Sequence, residues 1–277
     1  MNRILVTTDL SANSRAGLRF AIKLAEQKKL ELVFLFVHQV LRASTWSDAK
    51  YEYYVSEDRE NIMNELTSFV STTYKQMKVT PGKYKCAVHH QFGTVDGIIN
   101  YAQDNKCDYI CIATRGAGAV RKLFGTNTAA LVKNSPIPVI CVPASYKAKP
   151  VTKLLYASDM ADYEKEIPQV LAFAKPLKAA VELLHLSFPY EMMADKQVAQ
   201  KDLKKKFKYD IGIHYAARDL DNSLMTDLEA AVKKAKPSVV AMFTKQDRSL
   251  FDRIFLGSAT AQFTFSTNVP LLIFRKG

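Results

Sequence analysis

What the chain lacks narrows its class before anything else does. One tryptophan and four cysteines are spread over 277 residues. No two cysteines stand at the two-residue spacing of a zinc knuckle or a redox dithiol. Cys86, Cys107, Cys111 and Cys141 all fall in the first half, three of them inside apolar runs, and read as buried free thiols in a reducing compartment. No stretch of about 18 apolar residues occurs, which excludes a membrane-spanning helix. Met1–Ile4 enters an apolar segment directly, with no basic leader and no small-residue cleavage site, so the expected location is the cytoplasm. Glycine and proline are sparse at ten each, which excludes collagen-like and low-complexity chains. Charge of one sign is in excess but not concentrated: the net +12 divides as +6 over residues 1–145 and +6 over residues 146–277. The densest run, Lys204-Lys205-Lys206 with Lys201 and Lys208, lies in a helix-like stretch and reads as a solvated face, so no specific nucleic-acid partner is expected.

What is present is a repeat. Ile4-Leu5-Val6-Thr7-Thr8-Asp9 returns as Leu154-Leu155-Tyr156-Ala157-Ser158-Asp159, an apolar run ending in hydroxyl or small residues and then an aspartate. Phe36-Val37-His38 returns as Leu183-Leu184-His185, with the histidine 29 residues after the first aspartate and 26 after the second. Gly125-Thr126 returns as Gly257-Ser258, and from each glycine a proline follows thirteen positions on, Pro138 and Pro270. Four markers in one order indicate a duplication, with domains at 1–145 and 151–277 joined by the proline-bracketed segment Pro143–Pro150.

Within the first half, Arg3–Thr8 and Leu32–His38 are near-continuous apolar runs, the pattern of strands covered on both faces. Leu18, Ala21, Ile22 and Ala25 recur between them at helical spacing, with Ser11, Asn13 and Ser14 as candidate N-caps. A second helix is predicted to open at Ser56, with Glu57 and Asp58 in its first turn and Ile62, Leu66, Phe69, Val70 and Met77 as its apolar face. Trp46, Tyr51, Tyr53 and Tyr54 would then pack within the long loop before it. Lys85–Phe92 and Tyr109–Ala113 read as the third and fourth strands, a helix carrying Ile98, Ile99 and Ala102 lies between them, and a short helix at Thr126–Asn134 precedes Val139–Val142. The second half repeats the alternation, with strands at 153–157, 181–187, 211–216, 238–243 and 270–275 and helices at 163–178, 192–207 and 222–235. The expected architecture is α/β, two doubly wound, five-stranded, parallel-sheet domains of Rossmann-like type.

Ligands of open α/β sheets bind beyond the carboxyl ends of the strands, which here carry Thr7, Thr8 and Asp9, then His38 and Gln39, then Thr114-Arg115-Gly116-Ala117-Gly118. Gly125-Thr126-Asn127 opens the helix that follows, where glycine backbone and a helix N-terminus suit a phosphate, with Arg115, Arg121 and Lys122 as counter-charge. The alternative reading is a tight loop at Gly116 and Gly118 and a helix capped by Thr126. The glycines form neither a Walker A loop nor a dinucleotide fingerprint. His89 and His90 point to opposite faces of a strand and cannot jointly hold a metal from it.

Taken together, the strand-one aspartate, the strand-two histidine and the late Gly-Thr or Gly-Ser before a proline-led final strand resemble the universal stress protein family, in two tandem copies that span the chain. The resemblance implies a stress-response binding or regulatory protein with a site for ATP or AMP with magnesium in the first domain, at most slow hydrolysis, and protein partners. Carried over by position, Thr8 and Asp9 would face ribose and phosphate, the backbone near Gln39 would read adenine, and Gly116, Gly125, Thr126 and Asn127 would hold phosphates. Ala113 stands where the family's nucleotide signature has its first glycine, and only eight residues separate Gly116 from Gly125 where the signature has nine. In the second domain Asp247 follows a strand that lacks the first glycines, so that half is expected to bind no nucleotide. The resemblance also implies pairing of the halves through their final strands as an internal pseudo-dimer, with a homodimer as a further option. The rival reading is a nucleotide-free scaffold that acts through protein contacts.

Overall fold

The computed structural model describes residues 1–114, 124–188, 191, 195–219, 221–244 and 268–276. They divide into two compact units, one within 1–148 and the other within 149–277. In the first, β1 (Arg3–Thr7), α1 (Arg15–Gln27), β2 (Glu31–His38), α2 (Asp48–Met77), β3 (Tyr84–His90), α3 (Thr94–Asp104), β4 (Tyr109–Ala113), α4 (Thr126–Asn134) and β5 (Val139–Val142) follow one another. All pairings are parallel, in the order β3-β2-β1-β4-β5. The apolar runs become central strands because both faces are covered. Ile4, Leu5, Val6, Leu32, Val33 and Phe34 are fully buried, each such side chain contributing about 1.5–3 kcal/mol of transfer free energy.

Helices α1 and α2 pack together, as do α3 and α4, and the strand side chains show which face each pair covers. Val37 and His89 meet α3, through Gly97 and Tyr101 respectively. His38 and His90, one residue further along the same strands, meet Asp58 and Tyr51 of α2. The period of two thus sends neighbouring residues to opposite helical layers.

Helix α2 begins eight residues before the predicted start at Ser56. Ser47 caps it by accepting the Lys50 N–H at 3.3 Å, and Asp48 in its first turn pairs with Arg42 at 2.6 Å. The buried side chains of α2 run only from Leu66 to Tyr74, so its first turns lack the apolar periodicity by which a helix is recognised. Consequently Tyr51, Tyr53 and Tyr54 are helical, and Trp46 stacks on Tyr54 with ring centroids 4.6 Å apart. Ser14 occupies the N-cap of α1 without capping it. Its hydroxyl instead contacts Thr8 Oγ1 at 2.7 Å and donates to the Ser11 carbonyl at 2.8 Å.

The second unit contains β6 (Lys153–Ser158), α5 (Tyr163–Ala174) continued by a 3-10 turn at Lys175–Leu177, β7 (Ala180–Ser187), α6 (Lys196–Phe207), β8 (Ile211–Ala217), α7 (Leu224–Ala235), β9 (Val239–Thr244) and β10 (Leu271–Arg275). Its parallel order, β10-β9-β6-β7-β8, matches that of the first unit. Helix α6 starts at Lys196, where Asp195 accepts the N–H groups of Gln197 and Val198. It buries only Leu203, so its lysine run is the solvated face read from the sequence. Cys107, Cys111 and Cys141 are buried free thiols and Cys86 is half-buried; burial pushes Cys107 up to about 11. No helix of the described residues is long and apolar enough to cross a membrane.

Glycine is required where α3 rides on β2. A Cβ on Gly97 would lie 2.8 Å from Val37 Cγ1, and Gly93, at the helix N-cap, has φ of +85°. Gly97→Val should therefore destabilise the protein by about 1–3 kcal/mol through overpacking, read as a lower urea midpoint. Gly82→Ala, where a Cβ meets nothing within 4 Å, should change stability by no more than about 0.5 kcal/mol.

Candidate functional site

The strand order reverses between β1 and β4, and the crevice beyond their carboxyl ends is where an open α/β sheet receives a ligand. Thr8 and Asp9 follow β1 there. Thr8 is buried and internally committed: its N–H donates to the Leu35 carbonyl at 3.0 Å and its hydroxyl accepts the Leu10 N–H at 3.0 Å. Asp9 is exposed, with Oδ1 accepting the Ser11 N–H at 3.1 Å, and Leu10 sits at φ of +60° in the same turn. The hydrogen bonds fold this turn onto the start of α1 and leave the carboxylate at the surface.

Beyond β4, Gly125 N–H donates to the Thr114 carbonyl at 2.8 Å. Buried Thr128 donates from Oγ1 to the Ala113 carbonyl at 3.1 Å. These two bonds set the first turn of α4 against the end of β4. Gly125, not Thr126, is the N-cap; no side chain caps the helix and its first turn holds no acid. Thr126 and Asn127 are exposed on that turn. An uncapped N-terminus offers free N–H donors and the positive end of the helix dipole to an anion. Gly125 has an ordinary φ of −65°, and a Cβ there would make only a normal contact, 3.5 Å from the Thr114 carbonyl. The absence of a side chain at Gly125 therefore leaves approach room and is not needed by the backbone.

Thr8, Asp9, Gly125, Thr126 and Asn127 thus stand at the carboxyl ends of neighbouring strands. Gln39 stands one strand over, exposed, on a cleft of about 460 Å³ shared with Trp46, Tyr54 and Asp58 that Thr8 and Asp9 do not line. Arg115, Gly116 and Gly118, with Arg121 and Lys122, lie outside the described residues, as do Asp247, Gly257 and Ser258 of the second half. Ala113, in place of a glycine, is the buried last residue of β4, packed where α1 approaches through Gly17.

The corresponding position of the second unit is chemically different. The Lys276 ammonium lies 2.8 Å from Glu166 Oε1, 3.2 Å from Asp162 and 3.9 Å from Asp159, the counterpart of Asp9. The Lys276 N–H donates to the carbonyl of Thr244 at the end of β9 at 2.7 Å. Glu166, buried, also accepts from Tyr156 OH, whose phenol is pushed far up by burial and by that carboxylate. Burial opposes the charge on Lys276, yet Glu166, with Asp159 and Asp162, holds the ammonium above its ordinary 10.5. An internal cation therefore occupies the strand-one carboxylate of this unit. Nothing local in the sequence marks Lys276, which reaches the cluster only through the β9–β10 pairing.

The strand-two histidines differ as well. His185 uses both ring nitrogens, Nδ1 toward the Ser158 carbonyl at 3.2 Å and Nε2 toward Glu191 at 2.9 Å. His38 uses one, toward Asp58, and lies beside His90. Among the described residues no cluster of three or more His, Cys, Asp or Glu groups could hold a metal ion.

Comparison with known proteins follows this geometry. The chain is similar over 100% of its length, and 99% of the other's, to the crystal structure of a universal stress protein from Archaeoglobus fulgidus DSM 4304, with 18% identity and a TM-score of 0.73. It is similar over 99% of its length, and 92% of the other's, to a functionally unknown protein from Pseudomonas aeruginosa PAO1, with 14% identity and a TM-score of 0.55. At these identities the likeness is one of fold. No curated protein matches the sequence. Residues 1–143, more than half of the chain, match the universal stress protein family, and the chain therefore belongs to that family.

Proposed function

We propose that the protein is a stress-response binding or regulatory module whose first domain takes ATP or AMP, and that residues 1–145 and 151–277 are two universal stress domains with unequal sites. The observation that supports it is the open N-terminus of α4, uncapped and free of acid, beside Gly125 at the β1/β4 crevice. Phosphate oxygens would accept from the first-turn N–H groups and from Thr126 and Asn127. Asp9 would face the ribose or a magnesium ion carried by the phosphates, as its exposed carboxylate suits a hard cation with oxygen ligands. Gln39 would contribute backbone groups toward the base. Arg115, Gly116 and Gly118 would complete the phosphate loop. The second domain would take no nucleotide, because Lys276, held by Glu166, Asp162 and Asp159, already supplies the cation that a metal would bring.

A second reading, a nucleotide-free scaffold acting through protein partners, is favoured by Ala113, whose methyl group is packed where the family's signature has a glycine. Titration calorimetry with ATP and AMP in magnesium separates the two. Under the first reading the wild type releases heat and Gly125→Asp weakens binding at least tenfold, about 1.4 kcal/mol, while keeping its fold, since a Cβ at that position has room. No heat with either nucleotide, together with none bound in native mass spectrometry, would establish the scaffold reading instead.

The lysine cluster makes its own prediction. Lys276→Met strands the Glu166 carboxylate in a buried site and should destabilise the second unit by about 3–5 kcal/mol, seen as a lower thermal midpoint. Because the folded protein holds the ammonium above 10.5, this stabilisation is fully present below that pH and declines as pH rises through the folded value. Thermal midpoints of the wild type and of Lys276→Met should accordingly converge above pH 10.5.

A further inference from the structure

The first unit contains a pair of histidines that the nucleotide reading does not use. His38 and His90 lie in register on β2 and β3, with ring centroids 4.9 Å apart. His38 is 4% exposed; its Nδ1 is 3.2 Å from Asp58 Oδ2, and its Nε2 is buried without a hydrogen-bond partner. His90 mirrors this, with Nε2 2.9 Å from Tyr51 OH and a buried, unpartnered Nδ1. Asp58 and Tyr51 are seven residues apart on α2, two helical turns along one face. Ahead of Leu66 this helix buries no side chain. Its first three turns keep Tyr51 and Val55 only half-buried, and two of their polar contacts with the strand ends each finish on one of the histidines.

We propose that His38 and His90 form a proton-operated latch, which holds the N-terminal half of α2 on the strand ends while His38 is neutral and releases it when His38 takes up a proton from solvent. In the neutral ring Nδ1–H donates to Asp58 and Nε2 keeps its lone pair, which costs little in an apolar setting. Protonation places an N–H at Nε2 where no acceptor stands, together with a full charge in a buried site. The groups facing the ring are Asp58 and Arg59 from α2 and His90 from β3. Burial disfavours the charged ring most, Asp58 favours it, and His90 and Arg59 disfavour it, so the folded ring titrates below its ordinary 6.5. Asp58 is half-exposed and its pull is screened by water. A base whose folded value is depressed stabilises the docked state above the unfolded value and loses that stabilisation as pH falls below it.

The duplication provides an internal comparison. The in-register partner of His185 is Tyr215, not a second histidine, and both His185 ring nitrogens are already bonded. The unpartnered nitrogens and the paired rings occur in the first unit alone among the described residues. The latch does not depend on nucleotide binding.

Trp46, the sole tryptophan of the chain, reports on this segment: it stacks on Tyr54 of α2, and its carbonyl accepts from Arg42, which lies over the Tyr51 ring. In the full-length protein, Trp46 emission followed from pH 8 to pH 5 should change in one step with a midpoint below 6.5, while far-UV circular dichroism stays that of a folded chain. Amide hydrogen exchange across 48–58 should quicken at least tenfold through the same step. His38→Gln should abolish the step, His185→Gln should leave it in place, and Asp58→Asn should move the midpoint up by about half a pH unit or more, because without the favourable charge the docked state tolerates the protonated ring still less and releases the helix earlier as pH falls. A flat Trp46 signal over this range, a step that persists in His38→Gln, or a midpoint unmoved in Asp58→Asn would each overturn the latch.

Discussion

Parallel pairing of β1 with β2 on one side and β4 on the other is the constraint on which the first unit depends. A parallel neighbour cannot be reached by a tight turn, so each connection must cross a face of the sheet as a helix and return. All strands then end on the same side. The chain first winds outward through β2 and β3 and then reverses to β4 and β5, so that the helices following β1 and β4, α1 and α4, lie on opposite sides of the sheet at the place where an open α/β sheet receives a ligand. Asp9, Thr114 and the first turn of α4 are brought together by that reversal, although more than a hundred residues separate the first from the last. The same order recurs in β10-β9-β6-β7-β8, so the strand order of the second unit reverses in the same way between β6 and β9.

The two units share a backbone plan and differ in charge. At the end of β1 stands an exposed carboxylate, Asp9, and beyond the neighbouring β4 an uncapped helix end at Gly125. Beside β6 the equivalent carboxylate belongs to a cluster with Asp162 and Glu166 that shares the single ammonium of Lys276, which lies closest to buried Glu166. Buried carboxylates need such a partner, since desolvation without one costs several kcal/mol per ion. The two units thus differ in the charges at their first strand ends, an internal cation being present only beside β6 among the described residues. The histidines diverge in a similar way, satisfied at His185 and left with an open valence at His38.

Much of this was legible in the residues. Apolar runs flanked by helical periodicity identify eight of the nine strands and helices of the first unit, because burial on both faces leaves a strong pattern. Where burial is weak the pattern fails. The first turns of α2 bury no side chain and so carry no periodic signal, and only the Ser47 cap and the Arg42–Asp48 pair reveal them. The α4 cap is a subtler case: a hydroxyl next to a glycine suggests that Thr126 caps, but the helix begins one residue earlier and leaves Thr126 outward.

The sequence by itself determined the parallel α/β class and the family, since these rest on the order of local markers and on which faces are apolar. It also pointed to Asp9, Gly125 and Thr126 by their places at element ends. Tertiary structure alone decided which charged groups meet. Lys276 reaches Asp159 across more than a hundred residues, and His38 finds His90 only because β2 and β3 pair in register. Interactions of that kind depend on distance in space, and no spacing along the chain encodes them.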